Sequence, residues 1–483
     1  MVKEMTVQRF DVPYSEAAVE DLRQRLVRTR WPDQIPGSHW DYGVSLDYMK
    51  EICQYWKDQF DWKRQIEKMS AFHHYRYTSR GVGIHFIHER GEGPAPIPLI
   101  LTHGWPGSFL EMLKVIPMLA DPASYGANSA DAFDVIVPSL PGFGFSDRPT
   151  ESGVNTFRIA DIWMELMREL GYERLAAQGG DWGADVTTLL GLRHPERVIG
   201  IHLHSIPPYK PYLEAGTVLS EAEQVFLNEE SRWYEQSGAY DHIQKTTPQT
   251  VAYGLNDSPV GLAAWILEKF RDWGDCDGDI ESRFTKDQLL SNITLYWMTE
   301  TIHSSCRLYY EDNRTPLHLQ KGDYVTVPCG IARFPKREGP APPKRWVERG
   351  YNVRQWTEMS RGGHFPALEE PELLVEDIRL FFRAMRRDPP LTPQERAPRM
   401  AEPGKGDKPL PNRPSLQLPE GAASTRIPQA SFLGSFRDFH EPFLNELRHS
   451  RHGIRVDLNS ARHVFVSPVD EPSPSHRTTV SDT

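Results

Sequence analysis

The residues of this chain best placed to do covalent chemistry lie in the pentapeptide Gly179-Gly180-Asp181-Trp182-Gly183. It follows an apolar, strand-like run from Leu175 to Gln178 and precedes a helical pattern from Ala184 to Arg193. A tight strand-to-helix turn with small flanking residues lifts its central side chain clear of the sheet edge, which is the arrangement of a nucleophile elbow. Here the central residue is Asp rather than Ser. A carboxylate attacking a peptide or ordinary ester would give an unstable anhydride, whereas at saturated carbon it displaces a leaving group and forms an alkyl ester that water must then cleave. The elbow therefore points to epoxide opening or carbon–halogen cleavage.

Ester cleavage needs a base and a place for negative charge. In chains built on such an elbow the order is nucleophile, acid, histidine. Of 18 histidines, His364 in Ser360-Arg-Gly-Gly-His364-Phe-Pro fits by position, because it follows the last strand-like run and sits among glycines. It would deprotonate the water that attacks the ester of Asp181. The oxyanion of that step needs preorganised donors. His103-Gly104-Trp105-Pro106-Gly107 follows a strand-like run ending at Thr102, and the backbone N–H groups of Trp105 and Trp182 are the expected pair, each such donor being worth about 3 kcal/mol of barrier.

The elements that must position these groups can be read from periodicity. Ser15 can cap a helix with Val19, Leu22 and Leu26 on one face, and Ser45 another with Met49, Ile52, Trp56 and Phe60. Tyr75 to Thr78 and Ile84 to His88 flank Ser79-Arg-Gly-Val-Gly83 as a hairpin. Strand-like runs then alternate with helical ones: Ile97 to Thr102, Asp134 to Pro138, Leu175 to Gln178, Val198 to His204, Tyr324 to Cys329 and Val353 to Met359. That alternation predicts a mostly parallel sheet with helices on both faces. Between His204 and Tyr324 lies a long helical stretch rich in aromatics, too long for a loop and placed to close over the elbow as a lid. From Pro389 to Thr483 the chain is rich in Pro, Ser, Arg and other charged residues, and disorder is expected there.

With 483 residues, 39% of them hydrophobic, the chain can bury a sizeable core. Its net charge of −11 argues against nucleic acid or an anionic membrane as partner. The four cysteines are scattered with no metal-like spacing, as in a reducing compartment, and neither a signal peptide nor a membrane-length apolar run is present. A soluble, cytoplasmic protein is expected.

From about Phe10 to Arg386 the chain resembles the microsomal-type epoxide hydrolases of the α/β-hydrolase superfamily, which include juvenile hormone and fungal soluble forms. The resemblance rests on Trp31-Pro-Asp33, His103-Gly-Trp-Pro-Gly107, Pro141-Gly-Phe-Gly-Phe-Ser146, Gly179-Gly-Asp-Trp-Gly183, Leu255-Asn-Asp-Ser-Pro-Val-Gly-Leu262, Trp265-Ile-Leu-Glu-Lys-Phe270 and Gly362-Gly-His-Phe365. It implies an α/β fold divided into an N-terminal segment packed on the lid (1–95), a hydrolase core in two parts (96–206 and 322–387), a helical lid (207–321) and the tail (388–483). It implies hydrolysis of a small apolar epoxide by water to a vicinal diol, with no cofactor and no metal, as in detoxification or aromatic hydrocarbon catabolism. Animal members carry an N-terminal membrane anchor, which this chain is expected to lack. A homodimer is one option for its assembly.

Two lid tyrosines are also implied by the resemblance, since phenols that donate to the opening oxygen spare it from becoming a free alkoxide. Tyr240 matches the first and Tyr309 the second, with the adjacent Tyr310 as the fallback. The family's acid that orients the histidine normally stands two residues after Phe-Pro, where Phe334-Pro335 is followed at that spacing by Arg337. Counted back from Trp346, Glu338 takes the family position, as if one residue had been inserted, and Glu338 is therefore the expected acid. Two other readings compete. A haloalkane dehalogenase would share the Asp elbow but hold the departing halide with indole N–H groups, and a non-catalytic binder of apolar ligands would treat Arg337 as a degraded triad.

Overall fold

The computed structural model describes residues 7–207, 210–337 and 339–387. The proposed acid Glu338 and the C-terminal tail, 388–483, lie outside the described residues.

One nine-stranded sheet organises the fold. Its strands are β1 (Val7–Arg9), β2 (His74–Ser79), β3 (Val82–Glu89), β4 (Ile97–Thr102), β5 (Phe133–Pro138), β6 (Leu175–Gly179), β7 (Val198–Leu203), β8 (Val325–Arg333) and β9 (Tyr351–Glu358), in the order β1-β2-β3-β5-β4-β6-β7-β8-β9. From β5 through β4, β6, β7 and β8 to β9 the pairing is parallel, and β1, β2 and β3 add an antiparallel edge. Strands covered on both faces read as continuous apolar runs, and every residue of β5 and of β6 is buried. The expected hairpin is present as β2 and β3, closed by Arg80 and Gly81, both at positive φ as a two-residue turn matched to strand twist requires.

The strands differ from expectation at their ends. β8 runs on to Arg333 because Gly330-Ile-Ala-Arg333 is paired along β9, and β9 begins at Tyr351, opposite Val325. Periodicity in one sequence cannot see such partners. The short β1 and a third N-terminal helix, Trp62–Met69, were not anticipated. Ser15 does cap its helix, accepting from the Ala18 N–H, but Ser45 makes no capping bond. The Leu46 N–H is taken instead by the side chain of Gln34 at 2.7 Å, an acceptor from the preceding loop.

Between β7 and β8 the described residues form six α-helices, Glu221–Ser237, Ala239–Thr246, Pro248–Leu255, Pro259–Trp273, Lys286–Thr299 and Ile302–Asp312, and one short 3-10 turn, Ile280–Ser282. Reciprocal Ser220/Glu223 and Thr285/Gln288 capping boxes fix the starts of two of them. The N-terminal helices Glu16–Val27, Leu46–Asp58 and Trp62–Met69 bury their apolar stripes and bond to this insertion. Trp56 donates its indole N–H to Thr294 Oγ1 at 2.9 Å, while Tyr55 and Gln65 both donate to the Asp287 carboxylate. Among the described residues no helix is long and apolar enough to cross a membrane.

Candidate active site

Asp181 follows β6 and caps the helix Trp182–Arg193 with φ 50° and ψ −133°. A non-glycine residue held there costs about 2 kcal/mol, so the surroundings must fix it. The Asp181 N–H donates to Ser205 Oγ at 2.7 Å, just beyond β7. The flanking glycines answer to close approach. A Cβ on Gly183 would stand 1.9 Å from the Thr102 carbonyl oxygen, and one on Gly104 would stand 2.3 Å from Asp181 Cβ.

The carboxylate is held asymmetrically. Oδ1 accepts from the backbone N–H of Trp105 at 2.8 Å and of Trp182 at 2.7 Å, the two donors expected from the sequence. Oδ2 faces His364 Nε2 at 3.7 Å, beyond direct hydrogen-bond reach and close enough for a shared water. His364 is buried on the loop after β9, where Gly362 turns the chain at φ 104° and the His364 N–H donates to the Trp273 carbonyl. Its ring packs against Trp273 at 4.9 Å.

The inserted helices supply the opposite wall. The Tyr240 ring stacks on Trp105, with centroids 5.5 Å apart and planes 7° apart. Tyr309 meets Trp182 edge-on at 4.7 Å, and the two tyrosine rings lie 6.2 Å apart. Burial first, then the neighbouring Tyr240 and Asp181, pushes the Tyr309 phenol well above its ordinary value, so it stays protonated at neutral pH. Tyr310, one residue on, turns the other way: its hydroxyl is bonded to Arg314, whose guanidinium lies over its ring at 3.5 Å. Of the adjacent pair, the structure brings Tyr309 to the elbow and not Tyr310.

Sequence reasoning missed several groups that complete the site. Asn292 donates to the Pro106 carbonyl at 2.7 Å and Tyr296 to the Gly107 carbonyl at 2.8 Å, so an inserted helix holds the loop that carries Trp105. Beneath the loop Glu111 is buried against Gly107, and a Cβ on that glycine would fall 1.2 Å from Glu111 Oε1. Burial, helped by the Asp181 charge and opposed by His364, raises the Glu111 carboxyl to about 8. A lone acid in the apolar run Phe109-Leu-Glu-Met-Leu113 was the signal available. Arg337, at the nominal acid position, lies within electrostatic reach of Glu230 on the helix Glu221–Ser237 and offsets the rise that burial imposes on that carboxyl.

The sequence matches the family described as epoxide hydrolase N terminus over residues 7–112 and the alpha/beta hydrolase fold over residues 97–254. It is 45% identical over 378 residues to a Stigmatella aurantiaca protein assigned to the epoxide hydrolases, covering 78% of this chain and 85% of that one. It is 38% identical to epoxide hydrolase 1 of Oryctolagus cuniculus, covering 80% of this chain and 90% of the relative. The juvenile hormone epoxide hydrolase of Bombyx mori superposes with a TM-score of 0.70 at 30% identity, over 79% of this chain and 95% of that structure. With an aspartate elbow, a facing histidine and these relatives, the chain belongs to the epoxide hydrolases of α/β-hydrolase fold, enzymes that hydrolyse an epoxide to a diol.

Proposed function

We propose that the chain opens a small apolar epoxide through an alkyl ester on Asp181. Oδ2, the oxygen not tied to backbone donors, attacks the epoxide carbon. Tyr240 and Tyr309 receive the oxygen that is released, and the inserted helices act as a lid that keeps bulk water from it. A water between Asp181 and His364 then gives a proton to the imidazole and attacks Cγ, while the Trp105 and Trp182 N–H groups hold the oxyanion forming on Oδ1; its collapse breaks the Cγ–Oδ2 bond, and the departing diol oxygen takes the proton from His364. Glu338 orients His364 in this scheme. The observation that carries the reading is the split environment of the carboxylate, with two backbone donors on Oδ1 and His364 facing Oδ2. Rings of Trp105, Trp182, Trp273 and Tyr240 around the elbow favour an apolar, aromatic-tolerant substrate, and a relative named for juvenile hormone is consistent with that class. Single-turnover reaction in heavy-oxygen water tests the covalent route: label is expected in Asp181 and not in the first diol, and label in the first diol would exclude the ester.

One observation favours a second activity. The indole N–H groups of Trp105 and Trp182 are buried and have no hydrogen-bond partner among the described residues, and a pair of indole donors beside a carboxylate nucleophile suits a departing halide. Halide released from a bromoalkane by the same Asp181 would establish it, and no release would confine the enzyme to epoxides.

A further inference from the structure

The string Trp265-Ile-Leu-Glu-Lys-Phe270 has no task in the reaction as described. On the helix Pro259–Trp273, residues Trp265, Lys269 and Trp273 recur every four positions and share a face. All three meet the helix that carries Tyr240. The Trp265 indole donates to Gln244 Oε1 at 3.1 Å, the Trp273 ring lies 5.3 Å from that of Tyr240, and Lys269 Nζ lies over the Tyr240 ring, 4.5 Å from its centroid. Lys269 is only 5% exposed. An ammonium so deeply placed is costly without compensation, and it has Glu268 Oε2 at 3.0 Å, on a side chain that is 34% exposed, the Tyr240 face, and the Trp273 ring at 6.0 Å.

The surroundings of the two phenols differ in that a cation lies on the ring of one of them. The groups acting on Tyr309 after burial are Tyr240, Asp181, Asp241 and Cys306, all of which oppose its ionisation. Tyr240 faces Tyr309 and Trp105, lies one residue before Asp241, whose charge is met by Lys245 at 2.8 Å, and has the Lys269 ammonium on its ring, with Glu268 and Asp272 beyond. A phenolate ring is richer in electrons than a phenol ring, so a cation on its face stabilises the ionised form more.

Resting on the reaction proposed above, we infer that Lys269 acts as a positioning residue that polarises Tyr240 through its ring, making Tyr240 the phenol that gives up its proton while Tyr309 only hydrogen-bonds. In the opening step Asp181 Oδ2 bonds to the epoxide carbon, the carbon–oxygen bond breaks, and the released oxygen takes the Tyr240 proton. In the second step the oxygen of water bonds to Asp181 Cγ, the Cγ–Oδ2 ester bond breaks and Oδ2 leaves with the glycol. The two water protons go separately, one through His364 to that glycol oxygen and one back to Tyr240, and the carboxylate is restored.

Stopped-flow tryptophan fluorescence with styrene oxide separates the two half-reactions. Lys269→Gln should slow alkylation about tenfold, leave ester hydrolysis within about twofold, and move the alkaline limb of the alkylation profile up by about one pH unit. Lys269→Arg, which keeps the charge, should retain most of the rate. Glu268→Gln, which removes the counter-charge, should move the same limb down, and this variant serves if Lys269→Gln does not fold. In a Tyr240→Phe background Lys269→Gln should add little. An unmoved limb in either charge variant, equal losses with Arg and Gln, or a full Lys269→Gln effect without the Tyr240 hydroxyl would overturn the inference. If Tyr240→Phe alone alkylates at the wild-type rate, the fault lies instead in the tyrosine reading on which the inference rests.

Discussion

In the floor of the site the donors to the Asp181 carboxylate are backbone N–H groups, set by the ends of β4 and β6 and by glycines that let two chain segments touch. In the roof the facing groups are side chains of inserted helices, held by ring stacking and by bonds such as Trp265 to Gln244. A backbone donor cannot be rotated away or lost by substitution, whereas a phenol or an ammonium can. The floor should therefore carry the part of catalysis that tolerates no adjustment, and the roof the part that can be tuned for rate and substrate.

The largest test of that contrast removes the groups the floor presents. Asp181→Ala should abolish turnover, with folding unchanged by circular dichroism. His364→Gln should still permit alkylation and accumulate an ester adduct visible by intact mass, because only hydrolysis needs the base. An unmodified His364→Gln enzyme after incubation with epoxide would remove that residue from the hydrolytic role. The roof should degrade by steps. Tyr309→Phe should slow alkylation by about tenfold, Tyr240→Phe by more because it removes the proton donor, and the pair by well over about a hundredfold, as two donors to one oxygen replace each other in part. Equal rates for both single variants and the wild type would place oxygen stabilisation elsewhere.

The same contrast explains what could be read from the sequence. Asp181, Trp105, Trp182 and His364 were legible because a tight turn demands glycine at fixed spacing and chain order fixes the partners, so local strings report the site. Tyr240 and Tyr309 were visible only through resemblance, since an aromatic on a helix has the same periodicity whether it packs a core or faces a substrate. Lys269 and Glu111 carried no local signal beyond a charge in an apolar run. Their burial depends on the Tyr240 helix in one case and the Gly107 loop in the other, which are tertiary facts. Among the strands, central β4 was read with the bounds it has, whereas β8 and β9 were misjudged where their lengths depend on each other.

The floor should also be the more acid-sensitive region. His103 Nδ1 donates to the Gly104 carbonyl at 3.0 Å, and Nε2 accepts from the Leu140 N–H at 3.2 Å, so a second ring proton would oppose a donor. Burial lowers His103 to about 4. The unfolded chain, with an ordinary value near 6.5, binds the proton first. The stabilisation is thus complete above about 6.5 and is lost as pH falls through 4, by up to about 3 kcal/mol. His88, also lowered to about 4 by burial, adds the same sign. Urea unfolding across that window should show the loss, and a flat profile would contradict it. Glu111 runs oppositely: its folded value of about 8 lies above the unfolded one, so its contribution is complete below about 4.5 and lost as pH rises through 8. Glu111→Gln should therefore melt above wild type at alkaline pH and converge with it in acid.

The smallest expected effect comes from the bracing of the roof. Trp56 on an N-terminal helix donates to Thr294 Oγ1, and both residues are buried. Trp56→Phe removes the donor, strands the hydroxyl and leaves a small void, at a cost of about 2 kcal/mol. Thr294 is on the helix Lys286–Thr299, whose Asn292 and Tyr296 hold the floor loop at Pro106 and Gly107. If that helix is kept in place by those two bonds, the melting temperature should fall by a few degrees while kcat for styrene oxide changes less than about twofold. If the brace instead sets the position of the helix, kcat should fall with stability, and the loss should appear in ester hydrolysis, the half-reaction whose oxyanion the Trp105 N–H of that loop receives. A drop confined to alkylation would mean that the N-terminal helices reach the chemistry through the tyrosines, and the separation of a rigid floor from an adjustable roof would then have to be abandoned.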